Sequence, residues 1–130
     1  MKRTVILLLC VFFLCGCSMT KKEDTSNIEP IKITAEQISE TFKDKTYVII
    51  DVRQDYEYNK EHILDAVNIP LGEIETVTQK YAKDTNIILY CRSGNRSNQA
   101  ALKLIELGYK NIYDLGGIDS INLPKASEEV

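Results

Sequence analysis

Two continuous apolar runs dominate the hydrophobic pattern of this 130-residue chain, one over residues 47–52 and the other over residues 86–91. Runs of this length, without alternation of polar and apolar positions, are typical of strands that are covered on both faces of a parallel sheet. Shorter apolar runs predict further strands at residues 31–33, 66–69 and 111–115. The pattern therefore predicts five strands, two of them deeply buried.

Segments with helical spacing of their apolar residues separate these strands. Thr34 precedes a predicted helix over residues 35–42, and Gln37 completes a capping box three positions later. The other predicted helices cover residues 55–61, 71–81 and 97–107. Strands that alternate with helices of these lengths predict an α/β domain with a small, mostly parallel sheet and helices on both faces.

The first residues have a different character from the rest of the chain. Lys2 and Arg3 precede an apolar run over residues 5–14. At about 1.5 Å per helical residue, this run is too short for a bilayer core of roughly 30 Å. It fits the apolar region of a secretory signal peptide. The following residues, 14–17 (Leu-Cys-Gly-Cys), resemble a lipobox, in which the last cysteine is acylated.

This arrangement predicts a lipoprotein signal peptide over residues 1–16 and lipidation of Cys17. An uncleaved anchor and an ordinary signal peptide are the alternatives. The polar residues 17–30 predict a flexible tether, followed by the domain over residues 31–124 and a C-terminal tail over residues 125–130. We therefore expect an extracytoplasmic protein held by lipid on the bacterial cell membrane, or on the outer membrane where the host has one.

Chemically, the most informative segment is residues 91–97 (Cys-Arg-Ser-Gly-Asn-Arg-Ser), between the second buried strand and a predicted helix. Gly94 allows the loop to curl, so that successive backbone N–H groups can turn inward and bind an anion. The positive end of the helix lies next to this loop. All these features favour the thiolate of Cys91, which is the nucleophilic form.

Side chains of the same segment add to this predicted anion cradle. Arg92 and Arg96 supply positive charge, Ser93 and Ser97 supply hydroxyl groups, and Asn95 lies between them. Once the signal peptide is removed and Cys17 is acylated, Cys91 is the one free thiol that the prediction leaves. The alternative is a buried, inert cysteine at a strand end.

Charge and the remaining polar residues exclude several classes of function. The net charge is -3 and the basic residues are scattered, so no nucleic-acid partner is expected. His62 is the single histidine, and no other ligands lie at metal-binding spacing, so neither a metal nor another cofactor is predicted. Asp51 and Arg53 follow the first buried strand, and we expect them to form supporting polar links near the site.

Together, these segments resemble the rhodanese-like sulfurtransferases, whose active-site loop begins with the catalytic cysteine. The similarity includes further segments in matching order, at residues 48–53, 57–58, 62–63, 66–71, 108–113 and 115–118. It spans about residues 31–123 and implies a rhodanese-like fold. It also implies that Cys91 forms a persulfide and that residues 92–96 bind the substrate.

Spacing within the loop separates this family from the tyrosine and Cdc25-type phosphatases. Four residues lie between Cys91 and Arg96, whereas those phosphatases have five and a wider loop. The leading hypothesis is transfer of sulfane sulfur from a small anionic donor, such as thiosulfate or a persulfide, through Cys91 to a thiol, cyanide or protein acceptor. A non-catalytic binding module, a thiol redox sensor and a phosphatase remain as alternatives.

Overall fold

Residues 28–128 are described by the computed structural model, and the predicted signal peptide, Cys17 and most of the tether lie outside them. The strands are β1 (Ile31–Lys32), β2 (Val48–Asp51), β3 (His62–Ile63), β4 (Val67–Asn68), β5 (Ile87–Cys91), β6 (Ile112–Gly117) and β7 (Lys125–Ala126). Five of these form a parallel sheet in the order β1-β6-β5-β2-β4. The α-helices are α1 (Ala35–Thr41), α2 (Asp55–Lys60), α3 (Val77–Lys80) and α4 (Asn95–Glu106). The predicted α/β architecture is confirmed.

Strand β5 lies in the middle of the sheet, and its side chains divide the core into two halves. Ile87, Leu89 and Cys91 belong to the core half that packs against α4. Ile88 and Tyr90 face the other half, which packs against α1. All five residues are buried because helices cover the sheet on both faces, which explains why this segment lacks polar alternation.

Only part of the helix predicted over residues 71–81 is α-helical. A 3₁₀ helix covers Leu71–Thr76, and α3 adds a single turn after it. The apolar residues Leu71, Ile74 and Val77 recur every third position, and a 3₁₀ helix stacks side chains at that interval. Ile74 and Val77 are buried, so the 3₁₀ geometry places the apolar side chains of this segment in the core.

A short antiparallel ribbon closes one end of the domain. His62 pairs with Ala126, and Ile63 pairs with Lys125. Strand β7 therefore lies beyond residue 124, where the sequence analysis ends the domain. Each strand has two residues, which is too short to produce a recognisable periodic pattern. Between residues 28 and 128, no helix combines the length and apolar character needed to cross a bilayer.

Candidate active site

Cys91 ends the central strand β5, at the carboxyl edge of the sheet where parallel sheets bind ligands. Its side chain is fully buried, with 0% exposure. The backbone N–H of Gly94 donates a hydrogen bond to Cys91 Sγ at 3.0 Å. A sulfur atom that receives an N–H donor at this distance is stabilised when it carries negative charge.

Gly94 produces this geometry through its backbone conformation. Its φ of 95° lies in the left-handed region, which an L side chain rarely adopts. Because the turn is completed at Gly94, α4 begins at Asn95, two residues earlier than predicted. Arg92 and Ser93 therefore form the loop with Gly94, while the three following predicted site residues occupy the first turn of the helix. The positive end of α4 lies next to Cys91.

Behind the sulfur, Ser97 joins Cys91 to a buried carboxylate. Ser97 Oγ lies 3.7 Å from Cys91 Sγ and donates a hydrogen bond to Asp114 Oδ1 at 2.7 Å. Asp114 also accepts the N–H of Gly116 at 3.1 Å and forms an ion pair with Lys32. Ser97 Oγ also lies 3.1 Å from the carbonyl oxygen of Gly94, but the closer Asp114 carboxylate is the stronger acceptor for its single hydroxyl hydrogen. The N–H of Gly94 is thus the close donor to the sulfur.

Arg96, in the first turn of α4, forms a forked pair with a carboxylate on another helix. Its Nη1 and Nη2 atoms donate to the two carboxylate oxygens of Glu57 at 2.7 and 3.0 Å. These hydrogen bonds lower the pKa of Glu57 to about 2. Glu57 lies 39 residues earlier, on α2, and no local pattern indicates the pairing. The helix dipole and the backbone N–H of Gly94 are the fixed positive features next to Cys91.

Asp51 and Arg53 form a buried pair after β2. Arg53 Nε donates to Asp51 Oδ1 at 3.0 Å, and Nη2 donates to Oδ2 at 2.7 Å. The same Nη2 donates to the carbonyl of Glu61 at 2.6 Å, and the guanidinium lies 5.7 Å from the centre of the Tyr90 ring. Most donors of Arg53 are therefore engaged inside the domain.

An open cleft of about 300 Å³ lies beside the loop. Its lining residues come from α2 and the residues that flank it, from the loop and from the turn after β6: Arg53, Tyr56, Glu57, Lys60, Glu61, Arg92, Ile118 and Asp119. Arg92 is exposed and forms no ion pair with any residue that the structure describes. Ser93 and Asn95 are also exposed, and Asn95 Oδ1 accepts a hydrogen bond from Gln99.

Gly117 fixes the position of the loop from the neighbouring strand. It is the register partner of Cys91, and a Cβ atom added to it would lie 2.5 Å from the carbonyl oxygen of Arg92. It would also lie 3.1 Å from Ser93 Cα. Only glycine permits this close approach of two backbones. Gly117 belongs to the family segment at residues 115–118, but no local pattern places it at the site.

His62 has a structural role, although it is the chain's single histidine. It is buried, and its ring stacks on Tyr58 with centroids 3.8 Å apart. Nδ1 donates to the carbonyl of Tyr58 at 2.8 Å, because a carbonyl oxygen can only accept. These contacts hold the chain between α2 and β3.

Comparisons with known proteins agree with this geometry. The E. coli K12 thiosulfate sulfurtransferase PspE is 38% identical over 78 residues, which cover 58% of this chain and 75% of that protein. The thiosulfate sulfurtransferase GlpE of Coxiella burnetii is 33% identical over 82 residues, which cover 62% and 77%. A solved structure of a rhodanese with anions from E. coli has a TM-score of 0.61 and 36% identity, with 63% of this chain and 99% of that chain covered.

A sequence model of one family covers most of the domain. The family is described as "Rhodanese-like domain", and the match extends over residues 34–123. That range includes the Cys91 loop, Glu57 on α2 and the glycine pair at the end of β6. The chain therefore belongs to the rhodanese-like domain family.

Proposed function

We propose that this protein is a sulfurtransferase that carries sulfane sulfur on Cys91. One observation carries the proposal: Cys91 Sγ ends the central strand and receives the Gly94 N–H at 3.0 Å, next to the positive end of α4. This arrangement stabilises negative charge on sulfur without a metal or an organic cofactor. The thiosulfate sulfurtransferase relatives support the same chemistry.

The reaction has two steps and returns the enzyme to its starting state. The Cys91 thiolate attacks the outer sulfur of thiosulfate, the sulfur–sulfur bond of thiosulfate breaks, and sulfite leaves with the electron pair. An acceptor thiolate or cyanide then attacks the outer sulfur of the Cys91 persulfide. The Cys91 thiolate leaves, and the product is a new persulfide or thiocyanate. This is ping-pong covalent catalysis.

Arg92 is the side chain best placed to receive the anionic donor. It is exposed, lines the cleft and directly follows the nucleophile. The backbone N–H groups of the loop then hold the charge that moves between donor and Cys91. Because Cys91 is fully buried, we expect only a small donor, or one whose sulfur lies at the end of an extended group, to reach it.

Intact mass measurement tests the proposal directly. We expect the purified full chain to gain the mass of one sulfur atom on incubation with thiosulfate and to lose it on addition of cyanide. Cys91→Ser is the control and should gain nothing. An unchanged wild-type mass, or a cyanide-sensitive gain that persists in Cys91→Ser, rejects the proposal.

The burial of Cys91 favours a non-catalytic binding module as the second candidate. A sulfur atom with 0% exposure is also what an inert core cysteine has. The same mass experiment separates the two candidates, because a binding module remains unloaded at every thiosulfate concentration. A redox sensor differs again: it would be oxidised by peroxide without taking sulfur.

We also propose that the domain is attached to the outside of the bacterial membrane through a lipid on Cys17. The supporting observations are the positive start, the short apolar run and the lipobox-like residues 14–17. Cells that express the chain with a labelled fatty acid should incorporate the label into it. Cys17→Ala should abolish incorporation, and label that persists in this variant rejects the anchor.

A further inference from the structure

Arg53 and Arg92 line the cleft beside Cys91, and Arg96 is bonded to Glu57, which also lines it. Arg53 is held by Asp51, and Arg96 is held by Glu57. Arg92 has no ion pair among residues 28–128. Lys60 also lines the cleft and has no ion pair among these residues, so an incoming anion meets two unpaired cations, Arg92 and Lys60.

The two neutralised arginines differ in how firmly they are held. The pair after β2 is buried, with side-chain exposures of 7% for Arg53 and 0% for Asp51. The Arg96 and Glu57 side chains are 31% and 12% exposed, and Glu57 itself lines the cleft. Arg96 is therefore the guanidinium that a single change at the cleft surface can release.

Two sets of hydrogen bonds hold the Glu57 side chain in place and keep it ionised. Its Oε2 accepts the backbone N–H of Gln54 at 3.0 Å, as part of the capping box that begins α2. The hydrogen bonds from Arg96 keep the pKa of Glu57 at about 2, so the carboxylate is ionised at neutral pH. The hydrogen bonds of Glu57 also raise the pKa of Arg96, and attraction to Cys91 raises it further. Arg96 is thus within electrostatic range of the nucleophile while bonded elsewhere.

We infer that Glu57 determines the anion selectivity of the cleft by holding the Arg96 guanidinium away from the mouth of the Cys91 loop. The inference rests on the proposed sulfur transfer, because the anion concerned is the sulfur donor. With Arg96 held, the donor meets Arg92, Lys60 and the Gly94 N–H. A released Arg96 would add a forked donor that suits any tetrahedral oxyanion. Sulfate, phosphate and the sulfite product would then be retained as well as the donor.

Protection of Cys91 by sulfate measures this effect. The full chain in detergent is treated with iodoacetamide at increasing sulfate concentrations, and alkylation of Cys91 is read by mass spectrometry of the peptide that contains it. We expect Glu57→Gln to lower the half-protecting sulfate concentration about twofold to fivefold, the size of one partly exposed charged contact. Glu61→Gln removes one negative charge from the same cleft without touching Arg96, so its shift measures the charge effect alone.

Two comparisons decide the outcome. The double variant Glu57→Gln/Arg96→Gln should return to the wild-type concentration because the released guanidinium is gone. Equal shifts in Glu57→Gln and Glu61→Gln, or a shift that persists in the double variant, overturn the inference. Sulfate donates no sulfur, so this readout does not depend on sulfur transfer. A wild type that takes no sulfur from thiosulfate would reject the proposed function and leave the sulfate result to be judged separately.

Folding of the variants is controlled in the same samples. Glutamine at position 57 keeps a side-chain oxygen for the Gln54 N–H, and thermal unfolding verifies that the domain is intact. Glu57→Asp provides a second test, since it keeps the charge but withdraws the carboxylate by one methylene from Arg96. It should shift sulfate protection in the same direction, and no shift in an intact Glu57→Asp protein also overturns the inference.

Discussion

The ends of the two central strands, β2 and β5, are neighbours in the sheet but differ in how completely their polar groups are partnered. At the end of β2, Asp51 and Arg53 bind each other in a buried pair, and Asn68 donates to both of their backbone carbonyls. At the end of β5, Cys91 receives one close donor, and Arg92 extends into the cleft without an ion pair among the described residues.

This difference indicates that the end of β2 stabilises the fold, whereas the end of β5 is available for chemistry. Both ends lie at the carboxyl edge, where parallel sheets bind ligands, so position alone does not distinguish them. The engaged donors of Arg53 stabilise the chain that leads to α2 and β3. The less occupied donors around Cys91 remain available for charge that appears during a reaction.

The largest expected effect is on stability and comes from breaking the Asp51–Arg53 pair at the end of β2. Arg53→Met leaves the buried Asp51 carboxylate unpaired, and we expect the free energy of unfolding to fall by about 3–5 kcal/mol. Chemical denaturation measures it. Arg92→Met is the matched control at the other strand end, and its free energy of unfolding should change by less than about 0.5 kcal/mol. Similar losses in the two variants would contradict the division between the strand ends.

A substitution at Gly117 tests how strongly sulfur loading at the end of β5 depends on the position of the Cys91 loop. In Gly117→Ala, the new Cβ meets the Arg92 carbonyl at 2.5 Å, so the loop must move. A displacement of about 1 Å lowers the rate of a positioned reaction by about 100-fold, and we expect a loss of that size in sulfur loading. Rapid-quench mass measurement gives the rate. Gly72→Ala is the control, because its added Cβ has no atom within 4 Å. Loading at the wild-type rate in Gly117→Ala would show that the loop tolerates the shift.

The fold was largely predictable because its strongest signals are local. The apolar runs over residues 47–52 and 86–91 predicted the two central strands to within a residue at each end. The start of α4 was misplaced because Gly94 ends the loop earlier than helical periodicity indicates. The β3–β7 ribbon was missed because it depends on contacts between segments more than sixty residues apart.

The site was predictable where its parts are adjacent in the chain and not where they meet through the fold. Cys91 and Gly94 are three residues apart, and the cradle they form follows from the loop sequence. Glu57 reaches Arg96 only because α2 packs beside the loop, and Asp114 reaches Ser97 only because β6 pairs with β5. The loop sequence therefore indicates Arg96 but not the carboxylate that binds it.

Ser97 provides a further test at the end of β5. It was predicted to bind substrate, and in the structure its hydroxyl donates to Asp114. Ser97→Ala should lower the free energy of unfolding by about 1–3 kcal/mol, since the buried Asp114 carboxylate loses a donor. Sulfur loading should slow by less than about tenfold, because Gly94 supplies the close donor to the sulfur. Ser93→Ala, at an exposed position, is the stability control. Abolished loading in a folded Ser97→Ala protein would assign the hydroxyl a direct role.

The smallest expected effect concerns the Glu57–Arg96 pair and its dependence on pH. The pKa of Glu57 is about 2 in the folded protein, mainly because of the hydrogen bonds from Arg96, and its ordinary value is 4.5. A carboxylate with a lowered pKa contributes stability above its unfolded value, and this contribution disappears as the pH falls through the folded value. The window of loss therefore extends from about pH 4.5 down to about pH 2.

Comparing wild type with Glu57→Gln isolates this contribution from the other acidic groups. The wild type should melt at a higher temperature than the variant at pH 7, and the difference should shrink when both are measured at pH 3. Glu61→Gln controls for the loss of a carboxylate from the same cleft. An equal difference between wild type and Glu57→Gln at both pH values would mean that Glu57 stabilises the fold through its capping bond to Gln54 and not through its charge. The link between α2 and the Cys91 loop would then be weaker than the two short hydrogen bonds indicate.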